Sequence, residues 1–246
     1  VPQAYYSQGW TQYEQRNYAE AEKSFNRLLK SFPDHMLVED ALFRLSEIKI
    51  NSGQNQEAVS LLETYLQKFP DSQNSAKAMF YLAENLYYIG DALKAVPYYA
   101  KVAESNTSAN TRFMSRIGMG WCYIKLKKYD LAQDYFRQAD EISKHEKLNN
   151  LDEVYFGKAT ILTNTQKYPQ ALAFYDQLIS EFPKGPRILE SQLNRANVYF
   201  ELNDYSKAVE QFQNLISELD TLSGQDQLLE RAYYGLAWTH LKMGDV

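Results

Sequence analysis

The sequence holds a single cysteine, Cys122, so no disulfide can close within the chain and no cysteine cage for a metal can be built. Chain breakers are scarce. Ten glycines and seven prolines in 246 residues fall well below the ordinary share of about 12%, which favours helices over a turn-rich β fold. No surplus of positive charge is present: Lys and Arg number 26 against 31 Asp and Glu, a net charge of −5. Without a basic block the chain is unsuited to neutralising phosphates, and a nucleic-acid partner is excluded. No apolar run approaches the ~18 residues of a membrane span, which excludes direct insertion into a bilayer. The chain opens at Val1 with neither Met nor a signal-like leader, so a trimmed terminus is expected. What the sequence has in excess is aromatic: 3 Trp, 20 Tyr and 12 Phe, which the fold has to place.

A repeat organises the chain. Alanines follow short polar turns at Ala21, Ala58, Ala95, Ala132, Ala171 and Ala208, at intervals of 37, 37, 37, 39 and 37 residues. Four residues after each stands a large apolar side chain: Phe25, Leu62, Tyr99, Phe136, Tyr175 and Phe212. Twelve residues before each stands a small one: Gly9, Ser46, Ala83, Gly120, Ala159 and Ala196. Each unit reads as two helices, with apolar residues at helical spacing in stretches such as Met79, Leu82, Ala83 and Leu86. Turns such as Ile89-Gly90-Asp91 and Leu202-Asn203-Asp204 separate the pair, and their Asp residues are candidate caps for the second helix. Pro169 suits a first helical turn, whereas Pro97 predicts a kink or a later helix start. Second helices are expected to stop at Phe32-Pro33, Phe69-Pro70 and Phe182-Pro183, because proline pushes the preceding residue to extended conformations. Small residues at the twelve-before column let two antiparallel helices cross closely, with the ring one turn along filling the remaining space. Units of this size stack on their neighbours rather than fold alone.

The segments Met79-x2-Leu82-Ala83-x2-Leu86…Ala95-x3-Tyr99 and Ala196-x2-Tyr199…Ala208-x3-Phe212 resemble the tetratricopeptide repeat. The resemblance covers essentially the whole chain, with a unit three residues longer than the family's usual 34. It implies an all-α fold, a right-handed superhelical solenoid of helix-turn-helix repeats over residues 1–246. Six full repeats are expected, followed by a seventh first helix over Leu229–Lys242, with Ala237 in the small column and Met243-Gly244-Asp245 opening the next turn. The missing second helix predicts that the sequence is a piece of a longer protein. Gln8 and Gln12, where the third unit has Leu82 and Leu86, suit either a terminal helix or a divergent internal unit.

Nothing in the sequence assembles a catalytic set, and a non-enzyme with no cofactor and no metal is expected. His35, His145 and His240 are scattered, and zinc needs three or four converging ligands. Cys122 beside Trp121 reads as a small buried hydrophobe. Gly118-Met119-Gly120 lacks the third glycine of a dinucleotide loop and lies mid-helix, and Asn106-Thr107-Ser108 is a chance-frequency glycosylation tripeptide.

A different constellation points to binding. Positions three before, one after and four after each small residue fall on one face of every first helix. The first column reads Tyr6, Phe43, Phe80, Ile117, Phe156, Leu193 and Tyr234; the second reads Trp10, Glu47, Glu84, Trp121, Thr160, Asn197 and Trp238; the third reads Tyr13, Ile50, Tyr87, Ile124, Thr163, Phe200 and Leu241. All three tryptophans share the second column. In the proteins this chain resembles, first helices line the concave inner surface. That implies an apolar groove, acidic at Glu47 and Glu84, and partner-binding roles for Tyr6, Trp10, Tyr13, Phe43, Glu47, Phe80, Glu84, Tyr87, Trp121, Ile124, Phe156, Phe200, Tyr234 and Trp238. The competing reading is that the first column packs against the next first helix and serves stability alone. Lys77, Arg231 and Asn197 stand too far apart in sequence to form the carboxylate clamp of chaperone-tail binders. The expected partner is a protein or peptide with an apolar, or apolar and basic, segment.

Phe69-Pro70-Asp71-Ser72 followed by Tyr81-Leu82-Ala83 is similar to bacterial envelope members of the family, of the outer-membrane assembly lipoprotein and Tol-Pal-associated kinds. This implies a periplasmic or outer-membrane-associated scaffold, with a cytoplasmic setting as the alternative. Two other roles compete: the regulatory arm of a larger enzyme or sensor, and a self-assembling module forming a homo-oligomer through the last helix.

Overall fold

The structure is a computed structural model that describes residues 1–148 and 151–244; the expectation for Asp245 lies outside them. Thirteen helices and no strand are present among the described residues. Val1–Leu126 and Lys127–Val246 form two compact units. The first unit holds α1 (Pro2–Glu14), α2 (Tyr18–Ser31), α3 (Val38–Asn51), α4 (Asn55–Lys68), α5 (Ser75–Tyr88), α6 (Ala92–Glu104) and α7 (Ala109–Lys125). The second holds α8 (Tyr129–Glu146), α9 (Leu151–Asn164), α10 (Tyr168–Glu181), α11 (Ile188–Glu201), α12 (Tyr205–Leu219) and α13 (Asp226–Met243). The chain is an all-α helical repeat.

The repeat columns are the core. All six alanines from Ala21 to Ala208, and all six large residues four positions on, are fully buried. Gly9 shows why the facing column is small: a Cβ there would lie 2.8 Å from the Phe25 ring. A second set of contacts joins successive repeats. Cβ atoms at Gly118, Gly157 and Gly235 would collide still more severely with the rings of Tyr99, Phe136 and Phe212, each borne by the preceding second helix. In the first unit Phe25 belongs to a core containing Leu28, Val38, Leu45 and Ile48; in the second, Phe212 packs with Leu193, Leu215, Leu219 and Leu228.

Every turn inside a hairpin is closed by a residue in the left-handed region: Arg16, Gly53, Gly90, Lys127, Gln166 and Asn203. In most, the following amide reaches back five residues, as in Gln54 N to Lys49 O at 2.9 Å and Asp91 N to Leu86 O at 2.8 Å, which satisfies carbonyls that the helix end would otherwise leave unpaired. Asp91 and Asp204 then cap α6 and α12 by accepting from the amides of Lys94 and Lys207. At the other end, α2, α4 and α10 stop at Phe32, Phe69 and Phe182, whose ψ angles of 59°, 58° and 55° leave the helical region one residue before proline. Pro169 lies in the first turn of α10. The later start considered for α6 does not occur: the helix begins at Ala92 and runs through Pro97. The Leu93 carbonyl that Pro97 leaves unbonded lies on a residue 68% exposed, where water can serve it.

Charged pairs tie helices together within each unit. Lys49, nearly buried, meets Glu22 of α2 at 2.8 Å and Glu57 of α4 at 2.9 Å. Arg187 forks onto Glu153 across α9 and α11, at 2.5 and 2.8 Å.

Gly157→Ala separates two opposed effects. Alanine in a helix interior gains up to about 1 kcal/mol over glycine, whereas forcing a methyl into the Phe136 ring costs about 1–3 kcal/mol. We expect net destabilisation in urea unfolding; a variant as stable as wild type would show that the ring has room to move.

Candidate functional site

The faces flagged by the three columns are not uniformly open. The first column is largely consumed by packing, because successive first helices lie close together. Phe43 is 1% exposed, between Tyr65 of its own second helix at 5.3 Å and Tyr81 of the next first helix at 6.2 Å. Phe156 is buried against Tyr175, with the Arg187 guanidinium 5.1 Å from its ring. Ile117 and Leu193 are buried as well. Phe43 and Phe156 are therefore removed from the accessible set.

Glu47 is the third correction. It is buried, accepting from Arg44 at 2.8 Å, Lys77 at 3.0 Å and the Tyr13 hydroxyl at 3.1 Å. Its charge is answered from α1, α3 and α5, so it offers no acidic spot to a partner. Glu84, half-buried, accepts a hydrogen bond from the Tyr99 hydroxyl. The face of the first unit is thus a ladder of aromatic rings covered by cations. On α1, Trp10 stacks between Tyr6 at 6.4 Å and Tyr13 at 6.0 Å, and the Arg44 guanidinium lies 4.7 Å from the indole. Tyr6 donates to Asp40 at 2.6 Å; burial and that carboxylate push its pKa up to about 12. Lys77 lies 5.1 Å from the Phe43 ring, and Lys125 lies 4.8 Å from that of Tyr87. A cation over an aromatic face is attracted by the ring quadrupole, by about 0.5–1 kcal/mol where exposed.

These covering groups were absent from the sequence reading, yet a signal exists. Tyr6–Asp40, Trp10–Arg44, Tyr13–Glu47 and Phe43–Lys77 are all 34 residues apart, one helical turn short of the 37-residue repeat. Testing for complementary pairs at that offset finds them. Half-buried Trp121 and Ile124 lie on α7, and Phe80 meets Tyr99 edge-on at 5.9 Å.

In the second unit the exposed aromatics gather on α13. Tyr234 is 66% exposed and Trp238 42%, their rings 6.0 Å apart, with Leu241 exposed one turn on. Phe200 is half-buried against Tyr205 at 5.6 Å. Elsewhere in this unit, a cleft of about 480 Å³ is lined by Ile161, Leu162 and Phe174 together with Asp134, Arg137 and Lys158; Lys158 is held 2.6 Å from Asp140.

Cys122 is buried, and burial followed by the nearby Glu84 charge pushes its thiol up to about 12, so it stays protonated at neutral pH. Among the described residues no three His, Cys, Asp or Glu side chains gather as metal ligands, and no helix is long and apolar enough to cross a membrane.

The comparisons follow the same repeat. A family model described as "Tetratricopeptide repeat protein 21 N-terminal ARM repeat" matches residues 49–209, and one described as "Tetratricopeptide repeat" matches residues 12–80. The chain belongs to the tetratricopeptide repeat family. Among similar proteins, the BBSome complex member BBS4 of Bos taurus is 25% identical over 74% of this chain. A TPR repeat-containing protein of Methanocaldococcus jannaschii is 22% identical over 89% of it. The chain spans about a third of the length of these relatives, 32% and 38% respectively. Among solved structures, a tetratricopeptide repeat protein from Parabacteroides merdae superposes with a TM-score of 0.72 at 19% identity, covering 97% of this chain and 92% of that one. The apo form of RapI superposes with a TM-score of 0.66 at 16% identity, over 98% of this chain and 76% of that one. At these identities the likeness concerns the fold.

Two tests follow from the electrostatics. Glu47→Ala leaves Arg44, Lys77 and Tyr13 without their shared acceptor and is expected to cost about 1.5–3 kcal/mol in denaturant unfolding; a loss no larger than at a solvent-exposed glutamate would show the network to be idle. Asp140 and Asp152 should respond to pH with opposite signs. Burial alone would raise Asp140, but hydrogen bonds from Lys158 and Lys144 outweigh it and hold its carboxyl below the ordinary value. Its stabilisation is present above the unfolded pKa and is lost as pH falls through the folded one. Asp152 is raised by burial, and its Oδ2 has no hydrogen-bond partner among the described residues. Its ionised form weakens the fold at neutral pH, and that penalty fades as pH drops below the ordinary carboxylate range. Asp140→Asn should therefore lower, and Asp152→Asn raise, the melting temperature at pH 7, with both differences shrinking towards about pH 3.

Proposed function

We propose that the chain is a non-catalytic scaffold that captures a partner protein or peptide on the aromatic faces of its first helices. The carrying observation is the exposure of Tyr234, Trp238 and Leu241 along α13, one residue from each column. Each large ring there buries ~150–250 Å² when covered, an upper bound of ~4–6 kcal/mol at 25 cal/mol/Å². Family membership supports the reading, since tetratricopeptide repeats generally mediate contacts between proteins, and one relative is by its name a member of a complex. Half-buried Trp10 and Trp121 extend the proposed surface in the first unit, together with Tyr6, Tyr13, Phe80, Tyr87 and Ile124; Phe200 extends it in the second. With Glu47 already answered and Glu84 bonded to Tyr99, the partner segment is defined by apolar rather than basic side chains.

A periplasmic or outer-membrane-associated setting is part of the same proposal, supported by the resemblance around Phe69-Pro70-Asp71-Ser72. It is separable from the scaffold role, because the relatives include vertebrate and archaeal proteins, and cell fractionation reads it directly.

Trp238→Ala should reduce partner capture, per folded molecule, far more than it changes stability, which should stay within about 0.5 kcal/mol at such a surface position. Capture from native lysate by wild type, by this variant and by a Trp10/Trp121/Trp238 triple alanine variant makes the comparison. Equal capture by all three overturns the proposal.

A further inference from the structure

Where a second helix packs on the first helix that follows it, two pairs of positions bridge the groove between them. In the first pair, the residue after the alanine meets the residue three beyond the small position. Glu22 of α2 pairs with Lys49 of α3 in this way at 2.8 Å, and the same positions in α4 and α5 hold Val59 and Leu86, both buried. In the second pair, the residue five after the alanine meets the one just before the small position, as Asp176 of α10 meets Arg195 of α11 at 2.8 Å. Between α8 and α9 neither bridge can form. The first pair there is Gln133 and Leu162, a polar side chain against an apolar one, and the second is Arg137 and Lys158, two cations. What remains is the cleft of about 480 Å³, which these four residues line together with Ile161 and Phe174. Its size falls within the range of about 300–1,000 Å³ ordinary for a small-molecule site.

We propose that this cleft binds a small amphipathic carboxylate, with its apolar body on Ile161, Leu162 and Phe174 and its head between the Arg137 guanidinium and the Lys158 ammonium. An anion is what joins two cations at positions where α10 and α11 place an acid and a base. The charged and apolar parts of the wall adjoin, since Lys158 Nζ lies 6.0 Å from the Phe174 ring. Lys158 donates to Asp140 at 2.6 Å, and an ammonium has two further hydrogens to give. Arg137 donates to Asp134 and Glu141 of its own helix. Those side chains are open to solvent, where ion pairs are worth little and exchange readily. Because carboxylates already answer both cations, the head group selects the sign of the ligand while the apolar body supplies most of the affinity. Asp130, the other acid of the wall, precedes Arg137 by two turns of α8, about 10 Å along the axis, so a carboxylate held by Arg137 stands away from it. Lys158, Ile161 and Leu162 lie on the side of α9 opposite Phe156, Thr160 and Thr163 of the three columns. The site is therefore separate from the capture surface proposed above.

The probe is phenylpropionate, titrated into the chain with calorimetry and amide-resolved NMR as readouts. We expect saturable one-to-one binding, with shifts concentrated in α8, α9 and α10. Phenylpropanol, the same body with a neutral head, should bind about fivefold more weakly or worse, and phenylpropylamine no more tightly than the alcohol. Arg137→Asp gives α8 the acid that Asp176 supplies on α10, so that Lys158 is bridged from within the chain, and affinity for phenylpropionate should fall by about tenfold or more. Gln133→Leu fills the cleft and should weaken all three ligands together. Both positions are exposed, and circular dichroism should show the helix content of each variant unchanged. The proposal is overturned if phenylpropionate binding does not saturate, if the amine binds as tightly as the carboxylate, or if either variant leaves the affinity as it was.

Discussion

The structure depends on one recurring constraint: a large side chain four residues after an alanine must be enclosed on every side by backbone brought close. Phe25, Leu62, Tyr99, Phe136, Tyr175 and Phe212 meet it completely, with no measurable exposure. Enclosure requires facing helices without bulk, which explains glycines at Gly9, Gly118, Gly157 and Gly235 in helices that would otherwise favour alanine by about 1 kcal/mol per position. Filling a void beside an aromatic ring is worth more than that helix propensity, because cavity and transfer terms add in a close-packed core. The tolerance for left-handed residues at all six hairpin turns has the same origin. Arg16, Lys127 and Gln166 sit where glycine would be less strained, and the packing on either side holds them there.

Enclosing the rings draws successive first helices together, and that decides which residues remain available to a partner. Phe43, Ile117, Phe156 and Leu193 disappear into the contact, whereas Trp10 of the next column stays half-open under Arg44 of the following repeat, and Lys77 lies over the buried Phe43 ring. Arg44 and Lys77 serve twice, capping rings and answering Glu47. A partner approaching the first unit therefore meets rings that already carry a guanidinium or an ammonium. Displacing those cations would break ion pairs as well as ring contacts, and extended contact along the ring edges avoids that loss.

Much of this was legible in the sequence because it repeats. Three columns with a nearly constant period located each hairpin and its buried alanine, and the Phe-Pro pairs marked where three second helices stop. A lone Ala-x3-Phe would have meant little, but six of them leave one architecture. What stayed hidden was the offset between neighbouring repeats. The columns compare positions 37 apart, whereas the physical neighbours across first helices are 34 apart, so Trp10 was aligned with Glu47 although its ring lies under Arg44. The same displacement made Glu47 look like an open acid when its surroundings supply three donors. At Pro97 the later helix start does not occur: the helix runs through it, and the residue whose carbonyl loses its partner, Leu93, is exposed.

The repeats are equal in architecture and unequal in how well their polar groups are served. Glu39 of α3 and Asp152 of α9 occupy the same position, seven before the small residue of each unit. In the second repeat, Tyr65 of α4 supplies a hydroxyl that reaches Glu39 at 3.3 Å and Ser72 at 2.6 Å. In the fifth, the residue equivalent to Tyr65 is Leu178, fully buried and with no hydrogen to give, and Asp152 keeps an oxygen without a partner. Exchanging a phenol for an isobutyl group leaves the apolar enclosure intact while stranding the acid, because the hydrophobic contact tolerates any side chain of suitable volume and the hydrogen bond does not. Stability in such a chain accordingly resides in the columns common to all units, while pH sensitivity resides in the few positions where one unit departs from its neighbours.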